Sequence, residues 1–503
     1  MHAPVKIELQ PLGTAAAVAR GTQLQDVLHR FGVEFPCGGR GDCGGCRVRV
    51  LAGSLPITED QRELFSEQEL ADGWRLACRH AVEDRLVLEV AQWETTVLVD
   101  HGELKFAARP GTAIVVDLGT TTIVAQLLDL QTGQVLALES SRNPQAVHGA
   151  DLMHRIEYGL SKTGRVELVE TVRSEVGAQI QRMLASVSNT DLAIERVLLA
   201  GNTAMHHFFC DLDLEPLAHA PFESEQAGFQ EIDPADLGWA LPGDPRVQFL
   251  PSLGGFVGSD ILAGILATEM HRSEGIIALA DLGTNGELAI GNRDRIVCAS
   301  TAAGPAFEAG QIQMGMQATT GAIAGVEVAA GELRCRVLGG GEPRGICGSG
   351  LVDAVACGLE TGLIKSNGRL SRGSISLAGR VEITQQDVRQ LQLAKGAVAA
   401  GIRILLGRLG AEASTVERFY LAGAFGNYVN PTSARRIGLI DFAAERIEPI
   451  GNASLLGTKL ALFNEALEGD HFEALRNSVE QIPLGVDEDF QAYFIQETSF
   501  PNL

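Results

Sequence analysis

The sequence predicts a small α+β domain followed by a larger α/β domain made of two similar halves. Three observations carry this expectation. Alternating strand patterns bracket a loop rich in cysteine and glycine near the N-terminus. A strand, D-L-G-T turn and strand unit contains Asp117 and recurs at Asp281. Each unit is followed by a strand ending in L-A-G. The 503 residues suit roughly three domains of ~150 residues each. With 45% hydrophobic and 20% charged residues, the balance is globular. The 40 Lys and Arg against 63 Asp and Glu give a net charge of −23, which repels polyanions and sets nucleic acid aside as a partner. Glycine, at 58 residues, is abundant, as backbone pressed against phosphate requires. No apolar stretch reaches the ~18 residues of a membrane span, because Asp260 interrupts GGFVGSDILAGILATEM. MHAPVKIELQ lacks signal-peptide features, so a cytoplasmic address and no membrane partner are expected.

In the first domain, residues 1–98, VKIELQPL and the alanine-rich segment after it read as a hairpin. Thr22 and Gln25 form a capping-box pattern before LQDVLHRFG, and Ser66 and Glu69 form a second. RVRVLAG and DRLVLEV alternate as strands, completing a β-grasp pattern. Cys37, Cys43, Cys46 and Cys78 are spaced C-x5-C-x2-C-x31-C. Three thiolates on one loop, interleaved with glycines that let it fold inward, can wrap a [2Fe–2S] core, with the fourth ligand supplied from afar. Four thiolates would also hold zinc, but zinc sites usually pair two short C-x2-C knuckles, and here there is one. The pattern resembles the plant- and adrenodoxin-type ferredoxins, which implies an electron carrier. The other five cysteines (Cys210, Cys298, Cys335, Cys347, Cys357) sit among apolar or glycine-rich residues and read as buried thiols.

Residues 99–111 form a linker, and 112–503 the second domain, with halves at 112–273 and 274–503. AIVVDLGTTTIVAQLLDLQTG and IIALADLGTNGELAIGN are strand hairpins. The turns at Gly119, Thr120, Thr121 and Thr122, and at Gly283, Thr284, Asn285 and Gly286, can face phosphate oxygens, while Asp117 and Asp281 can hold Mg²⁺ through its waters. ERVLLAGNTAMHHFF and ERFYLAGAFGNYVNP extend the repeat through turns at Gly201 and Gly423. Gly348, Ser349 and Gly350 open a helix in GGGEPRGICGSGLVDAVACGL, where an anion is favoured; close helix packing is the alternative. Glu308 and Asp260, in glycine-rich loops, are candidates to orient an attacking water, or are simple turn residues. His206 and His207 read as packed, and TQQDVRQLQLAKGAVAAGIRILLGRLG as a core helix. This motif order resembles the acetate and sugar kinase, heat-shock protein and actin superfamily, with its ribonuclease H-like fold. The resemblance implies ATP with Mg²⁺, and places Gly423, Ala424 and Phe425 near the adenosine.

The pairing of the two modules resembles the reductive activators of corrinoid-dependent methyltransferase systems. That resemblance rests on the four cysteines, DLGTT, DLGTNGE, CGSGLVDA and LAGAFGNYVNP. It implies ATP-dependent delivery of one electron from the cluster to a corrinoid protein, Co(II) becoming Co(I). It also implies a low-potential donor (ferredoxin, flavodoxin or reductase) and a homodimer. Members of that family can carry an extra domain between the modules, where this chain has only residues 99–111. A plant-type cluster lies near about −400 mV, and moving one electron uphill by ~100 mV costs about 2.3 kcal/mol, so coupling to ATP is reasonable. Two alternatives stand beside this reading: an ATP-driven activator of another low-potential enzyme, and a redox-sensing metabolite kinase. Arg40, Arg47, Arg75 and Arg79 flank the cluster loop and read either as docking groups for a partner's carboxylates or as solvated surface.

Overall fold

The computed structural model describes residues 4–10, 14–29, 41, 46–90, 108–149, 152–187, 192–220, 222–283, 285–316, 318, 321–338, 342–426, 429–463 and 469–502. The N-terminal module contains β1 (Val5–Gln10), β2 (Thr14–Val18), β3 (Thr22–Gln23), α1 (Leu24–His29), β4 (Arg47–Ala52), α2 (Glu59–Leu64), α3 (Glu67–Ala71), β5 (Trp74–Leu76), β6 (Ala81–Val82) and β7 (Leu86–Val90). Its main sheet runs β2-β1-β7-β4-β5, with β1 and β7 parallel. Strand alternation turns Ile7 and Leu9 inward, where they share a core with Val48, Leu88 and the α1 residues Leu24, Val27 and Leu28. Ser66 and Glu69 form the expected capping box. Thr22 does not: it pairs in β3 with Val82, and its hydroxyl donates to Ala19 O (2.6 Å), so α1 begins at Leu24 without that cap. The tight turn at Gly21 (φ +84°) has drawn Thr22 into a strand.

The first half of the larger domain comprises β8 (Thr112–Leu118), β9 (Thr122–Asp129), β10 (Val135–Arg142), α4 (Leu152–Gly159), α5 (Lys162–Ser186), β11 (Ile194–Gly201), α6 (Thr203–Cys210), α7 (Glu215–Ala218), β12 (Gln230–Ile232), β13 (Gly243–Phe249) and α8 (Ser259–Ala267). The second half begins with β14 (Ile276–Leu282), β15 (Gly286–Asn292) and β16 (Arg295–Thr301). An insertion follows, of β17 (Ala322–Ala329), β18 (Glu332–Val337), β19 (Gly345–Ile346), α9 (Gly348–Glu360), β20 (Ser374–Ala378) and β21 (Val381–Thr384). The chain then forms α10 (Gln385–Leu409), β22 (Val416–Ala422), α11 (Gly423–Gly426), α12 (Pro431–Arg436), β23 (Ile447–Gly451), α13 (Ala453–Phe463), α14 (Gly469–Ser478), β24 (Val479–Gln481) and α15 (Phe490–Glu497).

The two large sheets run β10-β9-β8-β11-β13-β12 and β23-β22-β14-β15-β16-β24. Their shared five-strand order makes β8, β9, β10, β11 and β13 the counterparts of β14, β15, β16, β22 and β23. In each half the fifth strand leads into a helix, α8 or α13, that packs on the other half. Ile261, Leu262 and Ile265 of α8 join Ile277, Leu279 and Tyr420. Leu455, Ala461 and Leu462 of α13 join Ala113, Val115 and Leu198. The two helices cross at Gly457, where a Cβ would overlap the carbonyl group of Ala263, so only glycine permits the approach. As expected, α10 is a core helix: Val388, Leu391, Val398 and Leu405 are fully buried, and Thr384 and Asp387 cap it.

Candidate functional site: a thiol pair and a carboxylate cleft

In the N-terminal module the antiparallel pairing of Arg47 with Leu76 brings Cys46 and Cys78 to one end of the β4–β5 ladder, where Ala77 N donates to Cys46 O (2.9 Å). Both are thiols outside any disulfide, Cys46 buried and Cys78 half-buried. Two thiols set together at the end of a sheet fit a thiolate-held cluster. Cys37, Cys43 and Arg40 lie outside the described residues. The other flanking arginines make contacts within the module. Arg79 pairs with Asp60 (2.5 Å) and Arg47 with Glu69 (3.6 Å), while Arg75 donates to Leu55 O and Leu70 O. At Gly41 (φ +76°) a side chain would overlap the Arg79 guanidinium, so the two lie in close contact.

In the larger domain the β8–β9 turn closes through Gly119 N to Thr122 O (3.1 Å). Its carbonyls are held from outside: Asn143 Nδ2 donates to Gly119 O (2.9 Å) and Arg155 Nη1 to Thr120 O (2.7 Å). Asn202, at the L-A-G turn, donates to Thr120 Oγ1 (2.7 Å) and accepts from Met205 N as the cap of α6. Ser259 braces the same turn, accepting from Gly201 N (3.1 Å) and donating to Gly201 O (3.0 Å). The second turn closes through Gly283 N to Asn285 O (3.0 Å), and Asn285 is exposed. Thr284 is outside the described residues. Gly286 is buried instead, its carbonyl accepting from Thr301 Oγ1 (3.2 Å). Gly423 (φ +78°) leaves room for Asp281, whose Oδ1 would lie 2.6 Å from any Cβ there.

Four carboxylates meet between the hairpins. Asp117 accepts from Asn452 Nδ2 (2.7 Å) and Ser454 Oγ (2.8 Å), and desolvation raises its pKa against those bonds. Desolvation, with the Asp117 charge adding to it, raises Asp260 to about 7. Glu287, cross-strand partner of Asp281, is pushed well above the ordinary carboxylate range by burial and then by Asp260 and Asp281. Ser300 Oγ donates to it at 3.5 Å. Acids held this close favour a divalent cation. Among the described residues no three His, Cys, Asp or Glu side chains are set to ligate a metal directly. Mg²⁺ suits such a set of acids because the ion keeps several of its own waters when bound.

The remaining expected residues lie in the second half or on α6. Phe425 is buried with its ring 4.7 Å from that of Phe307. The side chain of Ala424 is outside the described residues. Gly348, Ser349 and Gly350 are buried at the start of α9, where added side chains would overlap Phe307 O and Ile323 O. Ser349 Oγ donates to Ala324 O (3.1 Å), so close packing accounts for that helix start. Glu308 is exposed on the 305–308 turn. His206 and His207 are buried, His207 between Thr203 O and Ser224 Oγ at 2.8 Å each. Asn452, Ser454 and Glu287 were not singled out from sequence. Glu287 had a local signal, sitting one residue beyond the D-L-G-T-N-G turn on its strand; Asn452 and Ser454 had only the G-N-A-S start of a helix.

Comparison with known proteins divides the chain into three matched segments. Residues 7–83 match a 2Fe-2S iron-sulfur cluster binding domain, 112–273 the RACo middle region, and 275–503 the C-terminal domain of RACo, the ASKHA domain. The corrinoid activation enzyme RamQ of Eubacterium limosum is 34% identical over 426 residues, covering 78% of this chain and 71% of that protein. The [Co(II) methylated amine-specific corrinoid protein] reductase of Methanosarcina barkeri is 29% identical over 420 residues, covering 77% and 76%. A solved reductive activator for corrinoid, iron-sulfur protein superposes with a TM-score of 0.69 at 25% identity, covering 99% of this chain and 98% of that one.

Proposed function

The chain belongs to the corrinoid activation enzyme family, and on that premise we propose that it uses ATP to drive the one-electron reduction of a corrinoid protein's cobalt from Co(II) to Co(I). The observation that carries this reading is a thiol site and a two-hairpin carboxylate cleft in a single chain. Cys37, Cys43, Cys46 and Cys78 would hold the [2Fe–2S] cluster, which would supply single electrons at low potential. The substrate cobalt would gain one electron from the iron–sulfur site, and an external low-potential donor such as a ferredoxin, flavodoxin or reductase would return one electron to that site. In the same cycle ATP and water become ADP and phosphate.

The roles in the cleft follow from position. The 119–122 and 283–286 turns offer backbone N–H groups to the phosphates, and Asp117 and Asp281 face the hydrated Mg²⁺. Gly423 sets the depth at which Asp281 sits. Of the two water-orienting candidates, Asp260 takes the role, because it is buried within the field of Asp117 and beside Glu287 in the group of acids. Residues 1–98 form the electron-carrying domain, 99–111 the linker and 112–503 the ATPase. A homodimer and a cytoplasmic address complete the reading. They rest on the family resemblance and on cysteines kept as thiols or cluster ligands.

The test is anaerobic. With a chemical reductant, ATP and a Co(II) corrinoid protein, the chain yields the Co(I) absorption spectrum; Cys78→Ser abolishes it, and Asp281→Asn abolishes its ATP dependence. Equal Co(I) yields with and without ATP, across donors of different potential, overturn the coupling. Phosphoryl transfer to a small metabolite without reductant would establish a kinase instead.

A further inference from the structure

Asp117 belongs to the first half of the ATPase, yet both its carboxylate oxygens are bonded from the second. Asn452 Nδ2 donates to Oδ2 (2.7 Å) and Ser454 Oγ to Oδ1 (2.8 Å), both from the start of α13. Asn452 also caps that helix, accepting from Leu455 N (2.8 Å). From there α13 runs 11 residues, about 16 Å at the rise of an α-helix. At its far end Leu462 O accepts from both terminal nitrogens of Arg109, at 3.3 Å each. Arg109 lies in the last stretch of linker before β8. Its backbone N–H donates to Leu130 O (3.2 Å), and its guanidinium pairs with Glu195 (3.1 Å).

Between these ends α13 has little freedom to bend or slide. Ala453, Leu455, Ala461, Leu462 and Phe463 are buried, and Gly457 sits directly against the α8 backbone. A close-packed helix moves as a rigid body, so a displacement at one end reaches the other undiminished. Asp117 faces the space where phosphates and their cation would lie, and two hydrogen bonds tie any shift of its carboxylate to Asn452 and Ser454. We propose that Asn452, Ser454 and Arg109 are positioning residues that make α13 a coupler, through which nucleotide occupancy at the Asp117 loop is read at the segment leading to the cysteine module. This rests on the ATP-driven reading above. It adds how the two modules communicate.

The experiment uses the full-length chain and hydrogen exchange, with and without Mg²⁺ and a non-hydrolysable ATP analogue at saturation. In the unsubstituted protein the analogue alters exchange both at the 119–122 loop and at residues 108–112. In Ser454→Ala, and in Asn452→Ser, which keeps a capping oxygen, the loop still responds, but the response at 108–112 falls by roughly 2- to 30-fold. Arg109→Ala keeps its ATP hydrolysis, while ATP stimulation of Co(I) formation falls by a similar factor. An undiminished response at 108–112 in the α13 variants, or full ATP stimulation in Arg109→Ala, overturns the proposal. Absence of ATP-dependent Co(I) formation in the unsubstituted protein would count against the functional reading instead, and the exchange comparison would still decide the coupling.

Discussion

Asp260 offers a quantitative check on the carboxylate cleft. It is the second residue of α8, and burial together with the facing Asp117 raises its pKa from the ordinary 3.8 to about 7. That difference corresponds to on the order of 4 kcal/mol between the folded and unfolded chain. Over the interval between those values the folded chain keeps a proton that the unfolded chain has released. The contribution is therefore fully present below about pH 4 and is lost as pH rises through about 7. Without Mg²⁺ or nucleotide, the urea midpoint of the ATPase region should fall from about pH 5 to about pH 8. Asp260→Asn removes the ionisation with little change of shape, so its midpoint should fall far less and should exceed that of the unsubstituted protein at the alkaline end. Adding Mg²⁺ with nucleotide should narrow that gap, since the cation offsets the same charge. Parallel pH profiles for the two proteins would refute the claim that Asp260 is held in a desolvated cluster of acids.

Two further outcomes test other parts of the structure. Protein prepared without oxygen should show [2Fe–2S] absorption, and Cys46→Ser or Cys78→Ser should lose it while ATP hydrolysis persists; an unchanged visible spectrum would remove these two thiols from the cluster. Gly457→Ala should cost about 1–3 kcal/mol or more and loosen the two halves, because its methyl group meets the Ala263 carbonyl. A midpoint within error of the parent would mean that the helices can separate freely.

What the sequence determined by itself is what short stretches of chain encode. The four-cysteine spacing names its chemistry because ligands on one loop must reach one core, whatever surrounds them. The repeated D-L-G-T turns reveal the duplication because a hairpin forms from its own residues, and both are hairpins in the structure. Local signals also mislead where two causes leave the same trace. Thr22 resembles a cap, yet it pairs as a strand. Only the tertiary structure decided which groups meet across the cleft. Asn452 and Ser454 lie 335 and 337 residues from Asp117, and no pattern along the chain foretells those bonds. They form because each half sends the helix after its fifth strand onto the sheet of the other, an exchange set by the burial of α8 and α13 and by one glycine contact between them.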